Sequence, residues 1–151
     1  MKIWCVAAWC LLVGAGCAPE IDFDDRTYFP ADFEETYTMV SPCSESVTHG
    51  GNYVQVYASP DALEAFTDPT KEYPVGAILV KSQHRETAPE CDYPTKWTVM
   101  RKGEEGSAPE SNDWGWQQID GDGAFVLGPQ PNGCVTCHAG CGEDRVCTND
   151  E

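Results

Sequence analysis

The stretch WGWQQIDGDGAFVLG, Trp114–Gly128, decides the fold. WGWQQI and GAFVLG read as two strands. DGDG between them, Asp120–Gly123, is a strong hairpin signal, because aspartate and glycine tolerate the positive φ that tight turns demand. Upstream, KWTVMRK (Lys96–Lys102), GAILVKSQ (Gly76–Gln83) and NYVQVYAS (Asn52–Ser59) read as three more strands, rich in β-branched and aromatic residues. Alternation along the middle one puts Ala77, Leu79 and Lys81 on a common face. EEGSAPESND is a polar loop. SPDALEAFTD has a Ser-Pro-Asp start and apolar Leu63 and Phe66 three residues apart, which predicts a short helix. ADFEETYTMV (Ala31–Val40) is assigned to a first helix, with acidic residues near its start. No repeat and no sustained helical periodicity occurs. The expected fold is mainly β (α+β): a single antiparallel-sheet domain with short N-terminal helices and one C-terminal helix.

The N-terminus sets the compartment. Met-Lys is followed by an apolar run from Ile3 to Gly16, the pattern of a secretory signal peptide and too short to span a bilayer comfortably. LLVGAGC (Leu11–Cys17) resembles the lipobox of bacterial lipoproteins, which implies that Cys17 becomes the lipidated first residue. Gly14 stands where a lipobox usually has leucine, so ordinary cleavage is the alternative. Residues 17–30 are acidic and contain proline, and read as a tether to a domain over residues 31–151. The chain carries 25 acidic residues. Loss of the segment with Lys2 leaves eight basic ones, for a net charge of about −17. That argues against nucleic acid and anionic lipid surfaces as partners, and favours solubility or a basic partner protein. Membrane association is expected only through the lipid anchor.

Of nine cysteines, Cys5 and Cys10 leave with the signal peptide, and Cys17 goes to lipid if the lipobox operates. The remainder lies in an oxidising compartment. Near the C-terminus NGCVTCHAGC (Asn132–Cys141) crowds three cysteines and a histidine together. Four chemistries compete for it. A zinc site would use Cys134, Cys137, Cys141 and His138 or Cys147, but the usual paired knuckles are absent. A redox dithiol belongs at the start of a helix in a βαβ unit, which this chain lacks. A pure disulfide knot leaves His138 without a reason. C-x-x-C-H is the haem c attachment signature: two thiols add to the haem vinyl groups, and the adjacent histidine ligates iron. Haem c attachment outside the cytoplasm agrees with the export signal. The reading is one covalent haem c on Cys134 and Cys137, with His138 as axial ligand. Cys43, Cys91, Cys141 and Cys147 then remain as disulfide candidates with three pairings open. Met39, Met100, His49 and His84 are candidates for a sixth iron ligand, and the sequence leaves that position open.

The ordered set GGNYVQVYAS, YPVGAILVKSQ, WTVMRK, DWGWQQID and C-terminal CVTCHAG resembles the cytochrome P-460 family, which includes the β-sheet cytochromes c′. The resemblance spans roughly Glu35–Thr148. It implies a five-coordinate haem c whose distal side is vacant or water-bound. Members with a lysine cross-linked to the porphyrin edge oxidise hydroxylamine; members without it bind nitric oxide or related small ligands. The resemblance makes Lys81 the first candidate for the cross-link, ahead of Lys96 and Lys102. The alternative is an ordinary strand lysine. The residue after Lys81 is Ser82, where the family often has glutamate. Cys147 replaces an aromatic residue common in the family, and with Cys141 it suggests a disulfide clamping the C-terminus; pairings with Cys43 and Cys91 stay open. Hydroxylamine oxidation also needs a proton acceptor. Asp120 and Asp122 are the nearest carboxylates upstream of the haem motif, and turn chemistry explains both. The expected activity is oxidation of hydroxylamine or a related nitrogen compound, with electrons passed to a basic acceptor protein. The alternatives are non-enzymatic gas binding and simple electron transfer.

Overall fold

The computed structural model describes Tyr28 and residues 31–127, 132–141 and 144–147. The expected signal peptide, Cys17 and all of the tether but Tyr28 lie outside the described residues. The elements run α1 (Phe33–Thr36), β1 (Thr38–Ser46), β2 (Asn52–Ala58), α2 (Leu63–Thr67), β3 (Ile78–His84), β4 (Lys96–Lys102), β5 (Trp114–Asp120), β6 (Phe125–Leu127) and α3 (Asn132–His138). The strands form one antiparallel meander in sequence order, β1 to β6. This is the mainly-β, single-sheet architecture expected from the strand runs. α1 precedes the sheet, and α2 lies between β2 and β3.

One expectation fails. The predicted first helix ends at Thr36, after a single turn, and Thr38–Val40 begin β1 instead. Pro42 and the run of serines hide this strand. Proline cannot donate to a ladder, so it is confined to edges and bulges. β1 is the edge of the sheet, and its register shifts twice, between Met39 and Ser41 and between Ser41 and Ser44. Gly50 and Gly51, at φ 74° and 77°, then turn the chain into β2.

Both faces of the sheet are covered. On one, Ala58, Leu79, Met100 and Trp116 line up across β2–β5 and join Ala62 and Ala65 of α2, Tyr73 and Trp114 in one buried cluster. On the other, Phe33 of α1 packs with Tyr57, Val80, Trp97, Val99 and Ile119. Phe33 and Tyr57 meet edge to face with centroids 5.2 Å apart. Gly115 separates the two tryptophans of DWGW for a steric reason. A Cβ there would lie 2.6 Å from the Tyr28 hydroxyl, so only glycine lets Tyr28 lie against β5.

A disulfide joins Cys43 of β1 to Cys91 in the β3–β4 connection, with Cα atoms 5.8 Å apart. It ties the irregular edge strand to the sheet over a sequence separation of 48. Loop-closure entropy assigns it about 4 kcal/mol. Replacing both cysteines with alanine is expected to lower unfolding free energy by about that amount in a denaturant titration.

His84 is 2% exposed on the Phe33 side. Its Nε2 lies 3.0 Å from Ser82 Oγ. Burial pushes its pKa below the ordinary histidine value, against the raising effects of the Asp92 carbonyl and the Glu34 and Asp92 charges. The unfolded chain therefore takes up this proton first, near pH 6.5. The stability from keeping His84 neutral is present above that pH and is lost as pH falls toward the folded-state pKa. The thermal midpoint is expected to drop on acidification below about pH 6.5, and His84→Asn to flatten that part of the profile.

Candidate functional site

CVTCH lies on α3, which packs on the sheet face carrying Leu79, Met100 and Trp116. Cys134 and Val135 touch that cluster, as does Val146 further on. Cys134 and Cys137 are free thiols. The other four cysteines of the domain are paired as Cys43–Cys91 and Cys141–Cys147. Burial pushes the Cys134 thiol pKa up, and the Lys96 charge works against it. The His138 ring meets Trp116 edge to face, with centroids 4.5 Å apart. His138 Nδ1 lies 2.8 Å from the Arg145 carbonyl. A carbonyl only accepts, so Nδ1 carries the proton and Nε2 keeps its lone pair. Burial pushes the imidazole pKa down, and the Lys81 charge pushes the same way against the Arg145 bond. Both effects favour the neutral ring, the form in which an imidazole ligates a metal.

Lys81 falls where alternation put it. The row below Leu79, Met100 and Trp116 on the same face is Val56, Lys81, Thr98 and Gln118. The face thus divides into an apolar half under α3 and a half that carries polar groups. Lys81 Nζ lies 3.3 Å from His49 Nε2. The ammonium only donates, so His49 accepts at Nε2 and its Nδ1–H points to Ser46 Oγ, 2.7 Å away and fully buried. Lys102 is engaged elsewhere: it donates to the Asn112 carbonyl at 2.8 Å and lies over the Trp114 ring. Lys96 shares the face and pairs with Asp120 and Gln83 in register.

A family model described as Cytochrome P460 matches residues 30–146. The chain belongs to the cytochrome P460 family. No curated protein matches it. Membership brings a haem cofactor, and the residues present fit one. Two free thiols and an imidazole whose Nε2 carries the lone pair sit on one short helix. Beside them Trp116 Nε1, Trp114 Nε1 and Tyr73 Oη are buried donors with no acceptor among the described residues, the condition a polar edge of a cofactor would relieve.

For a P460 chain, the remaining candidates sort by face. Met100 shares the haem-motif face and packs with Trp116, while His49 reaches the Lys81 position. Register puts Met39 beside Tyr57 and His84 beside Tyr53, on the opposite face. Those two are corrected as sixth-ligand candidates: strand alternation turns them away from α3. Ser82 also faces away, bonded to His84. Asp120 and Asp122 both accept from the Ala124 N–H, at 2.9 and 3.1 Å, and so fasten the hairpin turn.

Three contacts go beyond what the sequence specifies. Trp116 against His138 was foreshadowed only by the DWGW pattern. The His49–Lys81 bond spans 32 residues and the Arg145 carbonyl has no side-chain signature.

Proposed function

We propose that this P460 protein is an exported, lipid-anchored cytochrome with one covalent haem c, oxidising hydroxylamine or a related small nitrogen compound at a five-coordinate haem. Cys134 and Cys137 would hold the cofactor through thioethers, and His138 would ligate its iron through Nε2. When bound, haem supplies a metal that takes the nitrogen ligand and accepts its electrons. The observation that carries the reading is the placement of Lys81. Its amine occupies the same sheet face as the cluster receiving Cys134, and its charge acts on both Cys134 and His138. That supports Lys81 as the residue cross-linked to the porphyrin edge. Cys134, Val135 and Val146 pack against the buried cluster that contains Leu79, Met100 and Trp116, which supports an apolar surround on the His138 side. Electrons would leave to an acceptor protein, for which the net charge of about −17 after loss of Lys2 suits a basic surface.

The test is the optical spectrum of the ferrous protein, with hydroxylamine turnover assayed alongside. A Soret band strongly displaced to the red is the expected result. An ordinary high-spin haem c spectrum without turnover sinks the oxidase reading, and a low-spin six-coordinate spectrum replaces it with electron transfer. A second reading is supported by the Lys81–His49 hydrogen bond. If Lys81 remains an amine held by His49, the protein binds nitric oxide or a similar ligand reversibly without oxidising it.

A further inference from the structure

The segment after α3 holds the histidine from behind. Arg145 accepts from His138 Nδ1 through its carbonyl, and its Nη1 donates to the Ala139 carbonyl at 2.7 Å, one of the open acceptors at the end of α3. Arg145 sits at φ 58°, a left-handed conformation that a non-glycine residue keeps only when its surroundings impose it. Three neighbours impose it. Val146 packs on the cluster containing Trp116. Asn112 Nδ2 reaches Asp144 Oδ1 at 3.4 Å. Cys147 is bonded to Cys141, whose own N–H donates to the His138 carbonyl at 3.0 Å. The two sulfurs and a ring nitrogen of His138 lie within 4.8 Å of one another. A covalent bridge of sequence separation 6 therefore encloses Arg145 and starts from a residue hydrogen-bonded to His138 itself.

We propose that the Cys141–Cys147 disulfide is a strap that positions the axial ligand: it keeps the Arg145 carbonyl on His138 Nδ1 and so fixes the orientation and donor strength of the imidazole toward iron. This rests on the reading of His138 as the haem ligand and is independent of Lys81. A ligating histidine whose far N–H is bonded to a carbonyl is oriented and made more basic. A more basic axial ligand stabilises ferric iron, and so lowers the haem potential. Opening the strap consumes two electrons and two protons from an external dithiol, which becomes a disulfide, and leaves thiols at Cys141 and Cys147. Arg145 then leaves its left-handed conformation and the bond to Nδ1 is lost. The potential of the haem thereby responds to thiol reductants as well as to its electron partners.

The experiment uses the full-length haem protein with Cys141→Ser and Cys147→Ser combined. Resonance Raman spectroscopy of the ferrous form reads the iron–histidine stretch, and redox titration reads the midpoint potential. The stretch is expected to move to lower frequency and the potential to rise. Arg145→Gly keeps the carbonyl and accepts the positive φ, so its stretch is expected to match the parent protein. A double variant that retains peroxidase-stainable haem but has the parental stretch and potential overturns the strap. So does an Arg145→Gly protein that loses the parental stretch while the double variant keeps it, since the guanidinium would then be what holds His138. If the double variant does not accumulate, the parent protein is reduced with dithiothreitol and alkylated. Mass spectrometry confirms modification at Cys141 and Cys147, and the same shift supports the strap while its absence overturns it. Absence of haem stain from the parent protein overturns the covalent-haem reading beneath it.

Discussion

Replacing Cys134 and Cys137 together with alanine is expected to abolish covalently bound haem. After denaturation, the parent polypeptide should retain peroxidase-stainable haem and the double variant none. The assignment is sharp because no other described cysteine is available: Cys43, Cys91, Cys141 and Cys147 are in disulfides, and among the described residues Cys134 and Cys137 alone are free. Either single variant keeps one thioether and is expected to stain. The fold should survive, because Cys137 is exposed and Cys134 lies only at the margin of the cluster. Persistence of stain in the double variant refutes the attachment sites. Its absence from the parent refutes covalent haem altogether.

Lys81→Arg is the second large effect. Arginine keeps the positive charge and can still donate to His49, so the contact seen at 3.3 Å and the packing of β3 are preserved. It lacks the primary amine that a porphyrin cross-link requires. The red-displaced Soret band of the ferrous protein is expected to disappear, and hydroxylamine oxidation to fall to background, while haem staining and thermal stability stay near those of the parent. A surviving displaced band would move the cross-link to another lysine. Lys96 comes next, since it shares the sheet face and its charge acts on Cys134. Lys102 is disfavoured by its bond to the Asn112 carbonyl.

How much was legible in advance depends on how local each signal is. The strands β2 to β5 are runs of Val, Ile, Tyr and Trp whose side chains must bury against something, and the Asp-Gly turn marks the last hairpin. The placement of Lys81 followed from period-two alternation alone. β1 is not legible because its residues carry no such pattern. It exists because β2 offers an edge, because two register shifts absorb the irregular stretch around Pro42, and because Cys91 clamps it. The four candidates for a sixth ligand looked equivalent in the sequence, yet register turns Met39 and His84 away from α3 and leaves Met100 and His49 on its side.

What this sequence indicated by itself is a haem cofactor and the sheet. Both are written in short-range spacing: C-x-x-C-H within one helical turn, and alternation within each strand. What only the tertiary structure decided is the surroundings of the haem motif. Trp116 lies on the His138 ring, the Arg145 carbonyl on its Nδ1, and His49 on Lys81. The tryptophan and His49 come from elements distant in the chain, and the carbonyl acts through backbone. Such contacts exist only once strand register and the two disulfides have brought their owners together.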